Sequence, residues 1–212
     1  GALSSLLASQ HVGTLLAALG WVNMLLRKSA ARVMQLSTQL WPALFKCLSN
    51  PSEEVVRVDI EALGYMASST QQHFGPFIEH LLRLFREERP LLEARGTLIV
   101  RQLCELLDTK TVFVTLASGL QHEEDLEFAA QMVQVLNLIL LTSGEAWELR
   151  MILKQQVPSE DGAELFTTLY PAWAHNPVAL LSVCLLAQAH EHAAELVMLF
   201  GTLEMSVAFL VQ

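Results

Sequence analysis

The sequence contains little cysteine, a residue from which redox sites and many structural metal sites are built. Only three cysteines, Cys47, Cys104 and Cys184, occur among 212 residues, and they are far apart in apolar surroundings. This spacing excludes a Cys-x-x-Cys site. We expect buried free thiols that act as small hydrophobic side chains, and the odd count without a secretory signal favours a reducing compartment.

Long hydrophobic runs are also missing. Uninterrupted runs such as residues 138–141 and 178–181 are far shorter than the roughly 20 residues of a membrane span, so no transmembrane helix is predicted. The chain begins with Gly1 and Ala2 and shows no charged segment followed by a cleavage site, so no signal peptide is predicted. We interpret the chain as part of a longer protein.

Basic residues are scarce in the second half of the chain. Up to Lys110 there are 11 basic and 10 acidic residues, whereas after it there are 2 basic and 12 acidic ones. Nucleic acids and anionic membrane surfaces attract clustered Lys and Arg. We therefore expect no nucleic-acid partner and no direct membrane-binding face in this half.

The abundant feature is apolar residues at helical spacing, most clearly over residues 91–143. Phe128, Met132, Leu136 and Ile139 recur at three- and four-residue steps and form one stripe of a helix. A single amphipathic helix needs a neighbour to cover such a stripe. Because no segment alternates with the period of two that a strand needs, an all-α fold is predicted.

Three segments of similar pattern begin at Leu40, Phe74 and Thr111. Each consists of a short helix, an acidic or proline-containing turn, and a longer helix. This pattern resembles the HEAT repeat and predicts an all-α, HEAT-like α-solenoid of stacked antiparallel helix pairs. Residues 1–212 are read as a single domain with three parts: a partial N-terminal repeat over 1–36, the best-defined repeats over 37–143, and C-terminal helices over 144–212.

Two arginines lie within an apolar helical pattern. We predict that Arg95 or Arg101 forms an inter-repeat ion pair with a carboxylate of the adjoining repeat, among Glu124, Asp125 and Glu127. Binding of a lipid phosphate by one of these arginines is the functional alternative.

The acidic segment 123–127 suits a helix N-terminus, where the helix dipole favours negative charge. It also has two functional readings, a carboxylate cluster for acid–base or metal chemistry and a partner-facing acidic patch. Asn137 interrupts the apolar stripe and is predicted to be a buried structural residue that bonds a neighbouring backbone group. Trp147, Tyr170 and Trp173 are read as core residues, with partner contact as the alternative, since interfaces favour such residues.

No set of side chains converges on a chemical role. His73 and His80 have no carboxylate or cysteine partner in register, and His190 and His192 point to different sides of a helix. We therefore predict no catalytic residue, no cofactor-binding residue and no metal ligand.

Several long blocks resemble one family in its own order, the vacuole-morphology HEAT-repeat scaffold (the Vac-fourteen family). They run from about residue 40 to residue 210 and include LLEARGTLIVRQLCELL, EEDLEFAAQMVQVLNLILLTS, HNPVALLSVCLLAQ and FGTLEMSVAFL. The resemblance implies a catalytically inert scaffold. Such scaffolds hold a PIKfyve/Fab-type lipid kinase, the phosphatidylinositol 3-phosphate 5-kinase that makes phosphatidylinositol 3,5-bisphosphate, together with an opposing Sac-domain phosphatase.

The same resemblance implies that residues 144–212 lead into an oligomerisation region, because the family self-associates through its C-terminal part. It also implies a location in the cytosol and on the cytoplasmic face of vacuole and late-endosome membranes. Membrane contact would be peripheral, through the complex.

Two other function classes stay open. A general helical-repeat adaptor for trafficking or transport would bind extended peptides in a groove lined by Asn, Trp or acidic residues. An all-α enzyme would need a pocket of convergent polar side chains, and the sequence offers no candidate set.

Overall fold

The computed structural model describes residues 5–69, 71–155 and 160–202, and this part of the chain contains eleven α-helices and no strand. In chain order the helices are α1 Val12–Met34, α2 Ser37–Cys47, α3 Glu53–Ser68, α4 Gln71–Glu87, α5 Arg89–Leu106, α6 Thr109–Leu120, α7 Leu126–Thr142, α8 Trp147–Lys154, α9 Glu160–Trp173, α10 Pro177–Leu186 and α11 His190–Thr202. The prediction of an all-α fold built from neighbouring packed helices is confirmed.

Three helices begin at side chains that bond their first turn. Ser52, Asp125 and Asn176 each accept a hydrogen bond from the backbone N–H three residues later, at 3.5, 3.0 and 3.0 Å. These caps satisfy backbone donors that have no partner inside the helix. Pro177 follows in the first position of α10, where its missing N–H removes no helical bond.

Two helices differ from the sequence pattern. The apolar pattern of residues 12–26, followed by Arg27 and Lys28, predicts a helix that ends at these two basic residues, but α1 continues to Met34 across a kink at Ser29, whose φ and ψ are −156° and 62°. The pair Gly75 and Pro76 predicts the start of a helix, but α4 begins at Gln71 and runs through Pro76. The sequence also predicts a helix over residues 203–211, which lies outside the described residues.

The chain forms two compact units, Gly1–Asp108 and Thr109–Gln212. In the first unit, α3 packs against α1, α2, α4 and α5, so it lies at the centre. Its fully buried side chains include Ile60, Leu63 and Met66. Full burial of such a side chain contributes about 1.5–3 kcal/mol, so α3 contributes substantially to the unit's stability.

Adjoining helix pairs of the first unit are also joined by polar bonds near their turns. The Arg95 guanidinium donates through Nη2 to the Pro51 carbonyl at 2.6 Å, and the Ser49 hydroxyl donates to the Glu88 carboxylate at 2.7 Å. Both bonds span about 40 residues of sequence and fix the register of one helix pair on the next.

In the second unit, α6 packs on α9 and α7 packs on α10, with the short α8 against α7, α9 and α10. The rings of Phe113 and Trp173 stack with centroids 6.4 Å apart, and His175 Nε2 donates to the Leu120 carbonyl at 2.9 Å. Two successive helical hairpins therefore pack in the manner of a helical repeat. The division at residues 36 and 143 stays a prediction.

Candidate interaction surfaces

Asn137 lies where three helices of the second unit meet. Its Oδ1 accepts hydrogen bonds from Trp173 Nε1 of α9 at 3.1 Å and from the Ser182 hydroxyl of α10 at 2.8 Å. The sequence suggested a backbone partner for this side chain, whereas the bonds seen are to two side chains. Asn137 therefore fixes α7, α9 and α10 relative to one another.

Exposed apolar side chains surround this junction. Leu138 and Leu141 lie beside Asn137 on α7, and Val178 and Leu185 flank Ser182 by four and three residues on α10. All four are more than 40% exposed. We call these four residues the α7–α10 patch, and exposed apolar clusters of this kind mark interaction sites.

The neighbouring helix α8 adds two further exposed apolar side chains. Trp147 and Met151 are four residues apart, so they share one face, and Trp147 is 57% exposed. Of the residues predicted as possible partner contacts, Trp147 is the one whose surface is available to a partner.

The other two aromatic candidates have internal roles. Trp173 is fully buried beside Phe113. The Tyr170 hydroxyl lies 2.7 Å from His192 Nε2, and burial, followed by the nearby Cys184 thiol, raises the pKa of Tyr170. Both side chains stabilise the packing of the second unit.

One of the candidate arginines and one of the candidate carboxylates form hydrogen bonds to backbone groups. Arg95 bonds the Pro51 carbonyl, and Asp125 caps α7. Ion pairing of Arg95 or Arg101 with Glu124, Asp125 or Glu127 stays a prediction.

A groove in the first unit was not predicted. It consists of two adjoining cavities of about 410 and 230 Å³ between α1 and α3, and it extends to the end of α5. Its apolar wall comprises Met24, Val58, Tyr65 and Leu106. Leu106 lies beside Gly64 of α3, where an added Cβ would be in ordinary van der Waals contact with Leu106 Cδ1 at 3.4 Å. We call this feature the α1–α3 groove.

Polar side chains lie along the same groove. Asn23 Nδ2 donates to the Val58 carbonyl at 3.0 Å, and this bond ties α1 to α3. The Arg27 guanidinium lies 3.5 Å from the Glu61 carboxylate and is 71% exposed, so this ion pair contributes little to stability. Lys28 lines the groove beside Arg27 and gives it a net positive charge.

Within the described residues, no group of three or more His, Cys, Asp and Glu side chains is placed to hold a metal ion. No single helix in the same part of the chain is long and apolar enough to cross a membrane. Helices α7 and α8 together have the necessary length and composition, but they are bent by 88° relative to each other.

Neither surface was predicted from the sequence pattern, and the reasons are physical. The groove joins residues up to 86 positions apart, which no local spacing reveals. One feature of the sequence indicated the α7–α10 patch, because the residues of α10 are apolar on nearly all sides of the helix. A helix of that kind is either fully buried or in contact with a partner.

Comparison with known proteins gives a consistent result. Residues 89–212 match the family described as "Vacuolar protein 14 C-terminal Fig4p binding". The Arabidopsis thaliana protein named "Protein VAC14 homolog" is 42% identical over 206 residues, which is 97% of this chain and 28% of the relative. The Schizosaccharomyces pombe protein of the same name is 40% identical over 211 residues, 99% of this chain and 26% of the relative.

A more distant relative is the Saccharomyces cerevisiae protein named "Vacuole morphology and inheritance protein 14", which is 28% identical over 198 residues, 93% of this chain and 22% of the relative. No solved structure matches. The chain thus spans about a quarter of the length of these relatives. With a family match over more than half of its residues and relatives at 40–42% identity along nearly all of it, the chain belongs to the Vac14 family.

Proposed function

We propose that this chain is the part of a non-catalytic scaffold that holds a Sac-domain phosphoinositide phosphatase beside a PIKfyve/Fab-type lipid kinase. The complex would regulate phosphatidylinositol 3,5-bisphosphate on vacuole and late-endosome membranes, which the scaffold would contact peripherally. The observation that carries this proposal is the family match over residues 89–212, whose description names Fig4p binding.

The α7–α10 patch is the surface that we assign to the phosphatase. It lies inside residues 89–212, and its exposed leucine and valine side chains would gain about 25 cal/mol per Å² of apolar area that a partner covers. Its neighbour Trp147 belongs to a residue type that often dominates binding energy.

The charge of the second unit indicates which kind of partner surface would bind to it. Among residues 111–212 there are 12 acidic and 2 basic side chains, and one of the basic ones, Arg150, donates to the Leu140 and Ser143 carbonyls. A partner with an apolar centre and a basic rim would complement this unit, whereas a second copy of the same acidic surface would be repelled. Self-association through the C-terminal part of the full-length protein stays a separate prediction.

The test is co-purification of the full-length protein with the phosphatase and the kinase. We expect the double substitution Leu138→Asp and Leu185→Asp to remove the phosphatase, because two buried unpaired carboxylates would lie in the interface. Leu36→Asp is the matched control, since Leu36 is an equally exposed leucine of the first unit. Wild-type recovery of the phosphatase by the double variant would contradict the assignment.

A further inference from the structure

We propose that the α1–α3 groove binds a short, extended, acidic peptide segment of a partner protein. The groove lies outside the part of the chain that matches the phosphatase-binding family, apart from Leu106. The inference therefore goes beyond the proposed function and assigns a second binding site to the first unit.

The length of the groove fits a peptide of about four residues. Along α1 it runs from Gly20 to Lys28, which at 1.5 Å per residue is about 12 Å. An extended chain rises about 3.3 Å per residue, so four residues cover that distance. The volume of about 410 Å³ at this end lies within the range of small-ligand sites.

The groove offers each group that an extended peptide needs. Asn23 uses its Nδ2 to bond Val58, and within the described residues its Oδ1 accepts no hydrogen bond. That oxygen is available to a peptide N–H. Met24 and Val58 provide one apolar subsite, and Tyr65 with Leu106 provides a second one.

Charge selects an acidic peptide. Arg27 and Lys28 face Glu61 alone among the charged residues that line the groove, so the site carries a net charge of one positive unit. Glu61 holds one guanidinium nitrogen of Arg27 at 3.5 Å, and the guanidinium has further N–H donors for a second carboxylate. A basic peptide would place its charges against both cations.

Gly20 supplies the most direct test of where the peptide lies. A Cβ added at Gly20 meets no heavy atom within 4 Å, so a side chain fits at this position of the groove lining, and we expect the phenylalanine of Gly20→Phe to obstruct the groove. Phenylalanine also favours helix over glycine. We therefore expect the variant to melt at or above the wild-type temperature while it blocks the groove.

The experiment is fluorescence polarisation of a fluorescein-labelled peptide, Glu-Leu-Asp-Phe-Glu-Leu, titrated with the complete chain at about 50 mM salt, where surface charges are weakly screened. The same peptide with Lys at every acidic position is the charge control. We expect the acidic peptide to bind at least ten-fold more tightly than the basic one, and the preference to shrink as salt is raised.

Two variants locate the site. Gly20→Phe and the double variant Arg27→Glu, Lys28→Glu are each expected to weaken binding by at least about ten-fold, equivalent to losing one well-placed interaction. Gly13→Phe and Arg83→Glu are the controls. Gly13 is another glycine of α1 with open space at its Cβ, and Arg83 forms a similar exposed ion pair on α4.

The proposal is overturned if the acidic peptide fails to bind below about 1 mM or binds no better than the basic one. It is also overturned if Gly20→Phe leaves the affinity unchanged. Circular dichroism shows whether each variant is folded, and if the charge-reversal variant is not, Gly20→Phe alone decides. Co-purification of the phosphatase by Gly20→Phe should equal wild type, which separates this site from the α7–α10 patch.

Discussion

At the scale of single residues, Asp59 is the side chain whose position is hardest to reconcile with stability. It is fully buried in α3, and neither carboxylate oxygen has a hydrogen-bond partner among the residues that the structure describes. Burial raises the pKa of Asp59 well above its usual value. Burial, and after it the nearby Asp59 carboxyl, raises the pKa of Cys47 to about 12, which leaves this thiol protonated and unreactive.

Asp59 predicts a defined dependence of stability on pH. Because the folded state holds the Asp59 proton more tightly than the unfolded state, this residue's contribution to the free energy of unfolding is greatest below the unfolded pKa of about 3.9 and falls as pH rises towards the folded pKa. Asp59→Asn keeps the shape and removes the titration. We expect the variant to gain stability relative to wild type as pH rises from about 5 to about 8.

Urea unfolding at several pH values measures this difference, and Asp108→Asn serves as a carboxylate control near the end of the first unit. A difference between wild type and Asp59→Asn that stays constant with pH would show that Asp59 is ionised in the folded protein.

Asn137 gives a second prediction at this scale. Removal of its side chain by Asn137→Ala leaves the buried Trp173 Nε1 without its acceptor, so we expect a loss of about 1–3 kcal/mol in the free energy of unfolding. Ser182→Ala removes the second donor and leaves the tryptophan bond in place, so its loss should stay below about 1 kcal/mol. Equal losses for the two variants would contradict this account.

At the scale of helices, the end of α10 carries a local strain. Gln188, two residues after the helix, has φ of 59°, and its neighbour Ala189 donates to the Cys184 carbonyl at 2.9 Å. The left-handed conformation costs a residue with a Cβ about 1–2 kcal/mol, and glycine is the usual residue at such helix ends.

Gln188→Gly is therefore expected to stabilise the chain by up to about 1 kcal/mol, because relief of the steric cost outweighs the opposing effect of a more flexible unfolded state. For a chain of this size the melting temperature should rise by about 2–4 °C. Gln188→Ala, which keeps the Cβ, should show no such rise in a thermal melt. A melting temperature of Gln188→Gly below that of wild type would contradict the interpretation that Gln188 is strained.

Sequence patterns were sufficient for most helices and several of their caps, but not for the end of α1, the start of α4 or the neighbours that each helix contacts. Ser52 and Asn176 are capping residues beside prolines, so the starts of α3 and α10 could be predicted from local chemistry. The sequence did not predict the burial of Asp59, because this burial depends on four helices that surround α3. The exposed side of α10 could not be predicted from the sequence either. An apolar helix with no polar face does not show which of its sides packs against neighbouring helices.

At the scale of the whole molecule, charge is divided between the two units. The first unit, Gly1–Asp108, carries 10 basic and 10 acidic side chains, whereas the second unit, Thr109–Gln212, carries 3 basic and 12 acidic ones. Like charges in one compact unit repel, and at about 10 mM salt the screening length of about 30 Å is larger than the spacing of these side chains.

We therefore expect a rise in salt from about 10 to about 150 mM to stabilise the second unit selectively. Hydrogen exchange measured by segment should show greater protection across α7 to α10, with little change in α3 and α5. Equal changes in both units would indicate a general effect of salt on apolar burial instead of relief of charge repulsion.

The α7–α10 patch has a consequence for how such a protein is made in the cell. If the phosphatase covers this patch as proposed, a chain synthesised in excess of the phosphatase would display leucine and valine side chains to every other molecule, and such surfaces recruit chaperones and promote aggregation. Matched synthesis of the two subunits, or capture of one while the other is still leaving the ribosome, would shield these side chains. Abundance of the scaffold should then follow abundance of its partner, with surplus copies degraded.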